Sequence, residues 1–229
     1  MNERMRVQNL EQTGFRADHF KRSAWLAQTS LNLGKQAMFF SRIDRVPRYA
    51  DGERESDAEH SFMLALIAPE LAVALGRNLD IGLVSQYATV HDLIELKTSD
   101  VATFLFDDEQ QRAKEADEHS ALAELLTELP PHTAYMLGRY EAQADPEARF
   151  VRYVDKLLPI VVDIIGAGER VMREDFDVTD AEALRECHVK LQARLVRMFG
   201  EEFPEITLAH ELLCELFEDK FENDSLKLT

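Results

Sequence analysis

Apolar residues recur along this chain at the three- and four-residue spacing of helix faces, and no stretch holds the strict alternation that buries one face of a strand. The chain therefore reads as all-α, with no internal repeat. Its 229 residues support one sizeable core, or a core with an appended helical arm. Hydrophobic residues at 45% and charged residues at 30% indicate a soluble globular protein and weigh against disorder. No apolar run reaches membrane-spanning length, so no membrane partner is expected.

Prolines and glycines divide the helical pattern. A helix is expected over residues 24–40, then a loop in which Pro47 and Gly52 prevent a continuous helix. Further helices are expected over 57–75, capped by Ser56 or Asp57 and kinked or broken at Pro69, over 80–96, and over 109–129, where Pro130 and Pro131 end the run. Residues 96–108 read as a turn, a short helix or an active-site loop. Pro146 opens a helix that restarts at Pro159 and runs toward Ile165, Gly166 and Gly168 mark a junction, and two long helices reach Phe199 and Phe217.

The 26 Lys and Arg against 43 Asp and Glu give a formal charge of −17, which makes nucleic acid a poor partner. A small phosphorylated substrate remains compatible where a metal ion or an arginine supplies local positive potential. Two cysteines and a polar, mixed-charge beginning point to the cytoplasm, with Cys214 as core packing.

His60, His91, Asp92 and Asp155 each lie on a predicted helix beside apolar residues, where polar side chains need partners. His91 and Asp92 diverge by about 100° around a helix yet can both reach one ion near its surface. His60 and Asp155 would close that site from other helices. Such a two-His, two-Asp set suits Mn, Fe, Co, Ni or Zn. Spacing alone leaves open a plainer reading, in which the histidines are hydrogen-bonded surface residues.

Three strings in order, E-S-D-A-E-H-S around His60, V-H-D-L-I-E around His91 and R-Y-V-D-K-L around Asp155, resemble the HD-domain metal-dependent phosphohydrolase superfamily, whose pattern is His, His-Asp, Asp. The loop R-V-P-R followed by R-E-S-D-A-E-H-S is similar to one branch, the bacterial 5'-deoxynucleotidases with the HD-domain-containing protein 2 group. The likeness covers about residues 33–160. It implies a single HD-type domain over 1–229, a helical bundle with its motif-bearing core at about 33–165 and a C-terminal helical extension at about 169–220.

The resemblance also implies an activity: divalent-metal-dependent hydrolysis of (deoxy)ribonucleoside 5'-monophosphates to nucleoside and phosphate, with hydrolysis of another small phosphate ester or a nucleoside polyphosphate, or nucleotide binding without turnover, as the alternatives. His60, His91, Asp92 and Asp155 would hold one ion and Glu95 would be the catalytic carboxylate. Arg45 would clamp the phosphate, with Arg48 and Arg54 as competitors, and Asp100 would receive the sugar 3'-hydroxyl. Lys114, Glu115 and Glu118 resemble a segment lying over the site, and His119 or His132 would serve if a second ion were bound. A homodimer is implied, through apolar positions in 184–199 and 206–217. Where the branch carries a glycine-aspartate loop, Ser99 stands in the glycine's place, so a different loop shape is expected. His19, His188 and His210 read as surface or boundary residues, and Trp25, Phe39 and Phe40 as core or dimer packing.

Overall fold

A computed structural model describes residues 14–101, 103–106 and 108–227. The chain divides between Phe39 and Phe40 into two compact units. The first carries helix α1, Gly14–Phe40, which starts earlier than the expected 24–40. Trp25 and Phe39 are exposed on it, so neither is core, whereas Phe40 is buried.

The second unit opens on an antiparallel hairpin, β1 (Asp44–Arg48) and β2 (Arg54–Ser56), with Asp44 opposite Ser56 and Arg48 opposite Arg54. The pattern search did not anticipate it, because strands of five and three residues are too short for alternation to register and β1 contains Pro47. The remainder is helical: α2 (Asp57–Ala74), α3 (Ile81–Val90), α4 (Glu95–Thr98), α5 (Asp108–Glu128), α6 (Pro131–Glu141), α7 (Pro146–Asp155), α8 (Leu158–Ile165), α9 (Gly168–Asp175), α10 (Ala181–Phe199) and α11 (Pro204–Lys227). No described helix is long and apolar enough to cross a membrane.

Local chemistry sets the boundaries that matter for the site. Ser56 caps α2 through a capping box: its Oγ accepts from the Glu59 N–H, and Glu59 accepts from the Ser56 N–H. With its start pinned, α2 turns Asp57, His60, Ser61, Leu64, Ala68 and Ala72 inward at helical spacing and continues through Pro69. Asp145 caps α7 from Ala148 N–H, and Pro146 occupies its first turn. The core between α2, α3 and α7 holds Leu64, Val84, Tyr87, Phe150, Val151 and Val154, with Leu195 and Phe199 of α10 closing it. Each such side chain contributes roughly 1.5–3 kcal/mol through burial.

Two expectations need correcting. Pro130 and Pro131 end α5 but also begin α6, since Pro131 sits at the first helical position, where a missing N–H costs nothing. His188 and His210 are both buried rather than at the surface. Nδ1 of His188 lies 2.6 Å from Glu218 Oε1, and Nδ1 of His210 lies 2.7 Å from Gln192 Oε1. Cys214 packs in the second apolar cluster, beside Phe217 and Phe221.

The hairpin is fixed to the helical body. Arg48 and Arg54 both pair with Asp175 at the end of α9, at 3.0 and 2.6 Å, and the Ala167 N–H donates to the Arg48 carbonyl. A Cβ on Gly166 would collide with that carbonyl, so the junction before α9 requires glycine there. Arg48 and Arg54 are thus engaged in anchoring β1 and β2, while Arg45, on the same strand as Arg48, turns into the bundle.

Candidate metal centre

Three elements deliver the four ligands. His60 comes from the second turn of α2, His91 and Asp92 from the turn that ends α3, and Asp155 from the last residue of α7. One ligand atom from each lies within 4.8 Å of all the others. The expected helix over 80–96 stops at Val90, and residues 91–94 form turns before α4. Leaving the helix lets Asp92 fold toward His91, whose Nε2 is 2.9 Å from Asp92 Oδ2.

The protonation pattern of the histidines favours a cation. The Nδ1 of His91 is 3.0 Å from the Ala88 carbonyl oxygen, an acceptor only, which assigns a proton to Nδ1 and leaves Nε2 to face the carboxylates. That Nε2 is buried, with Asp92 Oδ2 at 2.9 Å and Asp155 Oδ1 at 3.6 Å drawing positive charge to it. His60 Nε2 lies 2.8 Å from Asp155 Oδ1, and its Nδ1 faces Glu55 Oε2 at 3.5 Å. Glu55 is fully buried and both its oxygens lack hydrogen bonds. Burial acts to lower the His91 imidazole, yet Asp92 and Asp155 outweigh it and push it up to about 10. Five acidic groups, Glu55, Asp57, Asp92, Asp100 and Asp155, gather around Arg45 and two imidazoles, an excess of negative charge that a divalent ion neutralises.

The residues therefore fit one divalent ion. Two imidazole nitrogens and two carboxylate oxygens form a mixed donor set open to Mn, Fe, Co, Ni or Zn. His119 and His132 are exposed and stand outside the cluster, and His132 Nε2 instead meets Gln86 Oε1 at 2.9 Å.

The other predicted site residues surround this centre. Arg45 is nearly buried, its Nη1 donating to Asp92 Oδ2 at 2.8 Å and Asp57 Oδ1 at 3.1 Å, with Asp100 Oδ1 at 3.6 Å. Burial opposes the charge on Arg45, but these carboxylates dominate and hold it firmly protonated. Glu95, the first residue of α4, is buried; Thr98 Oγ1 donates to its Oε2 at 2.8 Å and Lys114 Nζ to its Oε1 at 3.3 Å. Burial raises the Glu95 carboxyl to about 7, against the lowering pull of Lys114. Lys114 also pairs with Glu118, and the Glu115 side chain lies outside the described residues.

Ser99 explains how Asp100 is aimed. Its φ of 61° and ψ of 151° fall in a region almost reserved for glycine, which serine occupies here. Ser99→Gly should raise unfolding free energy by roughly 1 kcal/mol, since such strain costs about 1–3 kcal/mol and added unfolded-chain entropy offsets part of the gain. A higher urea midpoint at constant m-value is the readout, and an unchanged or lower midpoint would refute the strain.

Glu55 and Asp57 were not singled out from the sequence. Glu55 enters the sequence reading only as part of the string around His60, and Asp57 as a candidate cap; the hairpin and the start of α2 turn both inward. Glu55→Gln should weaken metal affinity about 10- to 100-fold by removing the carboxylate that faces His60 Nδ1. Competition with a fluorescent chelator measures this, and unchanged affinity would remove Glu55 from the site.

Comparison with known proteins follows this geometry. An HD-domain family model matches residues 42–196, more than half of the chain. A predicted metal-dependent phosphohydrolase from Magnetospirillum magnetotacticum superimposes with a TM-score of 0.65 at 25% identity, covering 86% of this chain and 95% of that one. An HD-domain phosphohydrolase from Listeria innocua gives 0.53 at 18% identity, covering 86% and 98%. A Pyrococcus horikoshii protein gives 0.51 at 22%, covering 78% and 98%. The last two show the fold alone. No curated protein matches the sequence. With the family model spanning the hairpin, all four ligands and most of α10, the chain belongs to the HD-domain family and carries a metal-binding site of the kind a divalent-metal phosphohydrolase uses.

Proposed function

We propose that the protein is a phosphomonoesterase that hydrolyses nucleoside 5'-monophosphates, deoxynucleotides preferred, to nucleoside and phosphate. The observation that carries this reading is that Glu95, Arg45 and Asp100 line the same cavity as His91, Asp92 and Asp155. A divalent ion held by His60, His91, Asp92 and Asp155 supplies Lewis acidity toward a phosphoryl oxygen and acidifies water.

The chain's own groups complete the chemistry. Glu95 takes a proton from the attacking water, a task suited to a carboxyl held near neutrality. Water oxygen bonds to phosphorus, the P–O ester bond breaks, and the proton held on Glu95 passes to the departing 5'-oxygen, which restores the carboxylate and releases nucleoside and phosphate. Arg45 opposes the charge that develops on the phosphoryl oxygens, its planar fork matching them. Lys114 fixes the Glu95 carboxylate by its ion pair. Asp100 accepts the sugar 3'-hydroxyl, and an added 2'-hydroxyl would crowd that contact. We also read a homodimer, supported by exposed Leu208, Leu212 and Leu216 spaced four apart along α11.

The test is phosphate release from deoxyribo- and ribonucleoside 5'-monophosphates after metal stripping and restoration with Mn, Co, Fe(II), Ni or Zn. Metal-restored release with deoxynucleotides hydrolysed faster is expected, and Asp100→Ala should lower kcat/KM for deoxynucleotides about tenfold or more, the scale of one lost hydrogen bond to a charged group, and bring the deoxy-to-ribo ratio down as the crowding at the 2'-position is relieved. Release from no nucleotide with any metal overturns the reading.

A further inference from the structure

The cavity at the metal centre extends past the ligands. Its volume is about 270 Å³, and its wall continues along one face of α8 through Pro159, Ile160 and Asp163, the last lying eight residues beyond Asp155. Here the lining changes from charged to apolar and aromatic: Phe104, Val171 and Phe176 replace the carboxylates. Phe104 and Phe176 lie 5.1 Å apart between ring centroids, and the His188 ring meets Phe104 edge-on at 6.1 Å. The two rings touch at a tilt of 56°, and together they offer an aromatic surface against which a flat ring can pack.

One group in this chamber is out of keeping with it. Asp163 is 5% exposed, and its Oδ1 has no hydrogen-bond partner. Lys220 is the neighbouring cation, but its Nζ is committed to the backbone carbonyls of Asp163, Ile164 and Gly166 at 3.2, 3.0 and 2.9 Å and to Glu169 at 3.3 Å. No hydrogen bond reaches the carboxyl's Oδ1. Burial, reinforced by Glu55 and Glu169, pushes it up to about 7 against the pull of Lys220, so it can offer both a donor and an acceptor. A buried polar atom without a partner is costly, and a ligand that supplies the partner recovers that cost on binding.

We propose that this part of the cavity recognises the heteroaromatic base carried by the nucleoside leaving group, with Phe104 and Phe176 packing on the ring and Asp163 reading its polar edge. The proposal rests on the nucleotidase reading and deepens it, by assigning base recognition to α8, to Phe176 after α9 and to Phe104 in the segment between α4 and α5. Asp163 is thereby a specificity-determining residue, outside the reacting atoms. His188, with its Nδ1 fixed on Glu218, is held in one orientation at the chamber wall.

The experiment compares a nucleotide with the same ester lacking its base. Wild type, Asp163→Asn and Asp163→Leu are assayed on deoxyribonucleoside 5'-monophosphates and on 2-deoxyribose 5-phosphate, and free deoxynucleosides are titrated by calorimetry into each protein without added metal. Asp163→Leu should lower kcat/KM for nucleotides about 10- to 100-fold, mostly through KM, leave 2-deoxyribose 5-phosphate hydrolysis unchanged, and abolish nucleoside binding. Asp163→Asn should fall between, since an amide keeps a donor and an acceptor. Leucine in place of an unpaired buried carboxyl is not expected to unfold the protein, and thermal unfolding checks this. Equal loss on both esters, or no change on either, overturns the assignment of Asp163 while leaving the nucleotidase reading standing. Wild-type turnover of 2-deoxyribose 5-phosphate with none of any nucleotide overturns both.

Discussion

Asp155→Ala should empty the metal site and abolish hydrolysis. The residue supplies one of four ligand oxygens or nitrogens and also holds His60 Nε2 at 2.8 Å, so its removal costs a ligand and loosens a second. Metal content should fall from about one ion per chain to near zero, and phosphate release by more than about 10³-fold, as expected when several kcal/mol of charge stabilisation is lost. Elemental analysis on the same samples ties the two. Retained activity in protein shown to lack metal would sink the assignment. Asp155→Asn, which keeps the shape but not the charge, should lie close to the alanine variant if charge neutralisation is what binds the ion.

Glu95→Gln should separate chemistry from binding. The ligands are untouched, so metal content stays near wild type while kcat falls about 10²- to 10⁴-fold, the usual yield of a positioned proton acceptor. Burial holds the Glu95 carboxyl at about 7, and a base works as the carboxylate, so wild-type kcat should rise with pH through neutrality and level off above it. That limb should be missing in Glu95→Gln. Lys114→Met removes the ammonium that lowers the Glu95 carboxyl, and should carry the limb to higher pH. A profile falling through neutrality would make Glu95 an acid instead, and a limb that persists in Glu95→Gln would assign the titration to another group.

Much of the fold could be read from helix-face spacing and from caps, because α2, α7 and α10 each bury one face and begin at a side-chain cap. What escaped the sequence was decided by tertiary contacts or by length. The hairpin is too short to show a period, and α6 was hidden by reading a proline pair only as a stop. The metal ligands were legible because His, His-Asp and Asp recur in order within recognisable strings. Glu55 was not, since an acidic residue in a charged run carries no local sign of burial. His188 did have a signal: with Leu184, Leu195 and Phe199 it falls on one inward stripe of α10. Only the three-dimensional arrangement shows that Asp163 shares a cavity with the ligands, because its helical position alone is that of any boundary residue.

The single oxygen shared by Arg45 and His91 has a thermodynamic consequence. Asp92 Oδ2 accepts from Arg45 Nη1 at 2.8 Å and also faces His91 Nε2 at 2.9 Å, so the guanidinium partly satisfies a carboxylate that a cation would otherwise claim. Any positive charge drawn to that oxygen competes with Arg45 and frees its fork to turn toward an anion. Cation and anion affinities would then be linked through one hydrogen bond, each strengthening the other by the same factor.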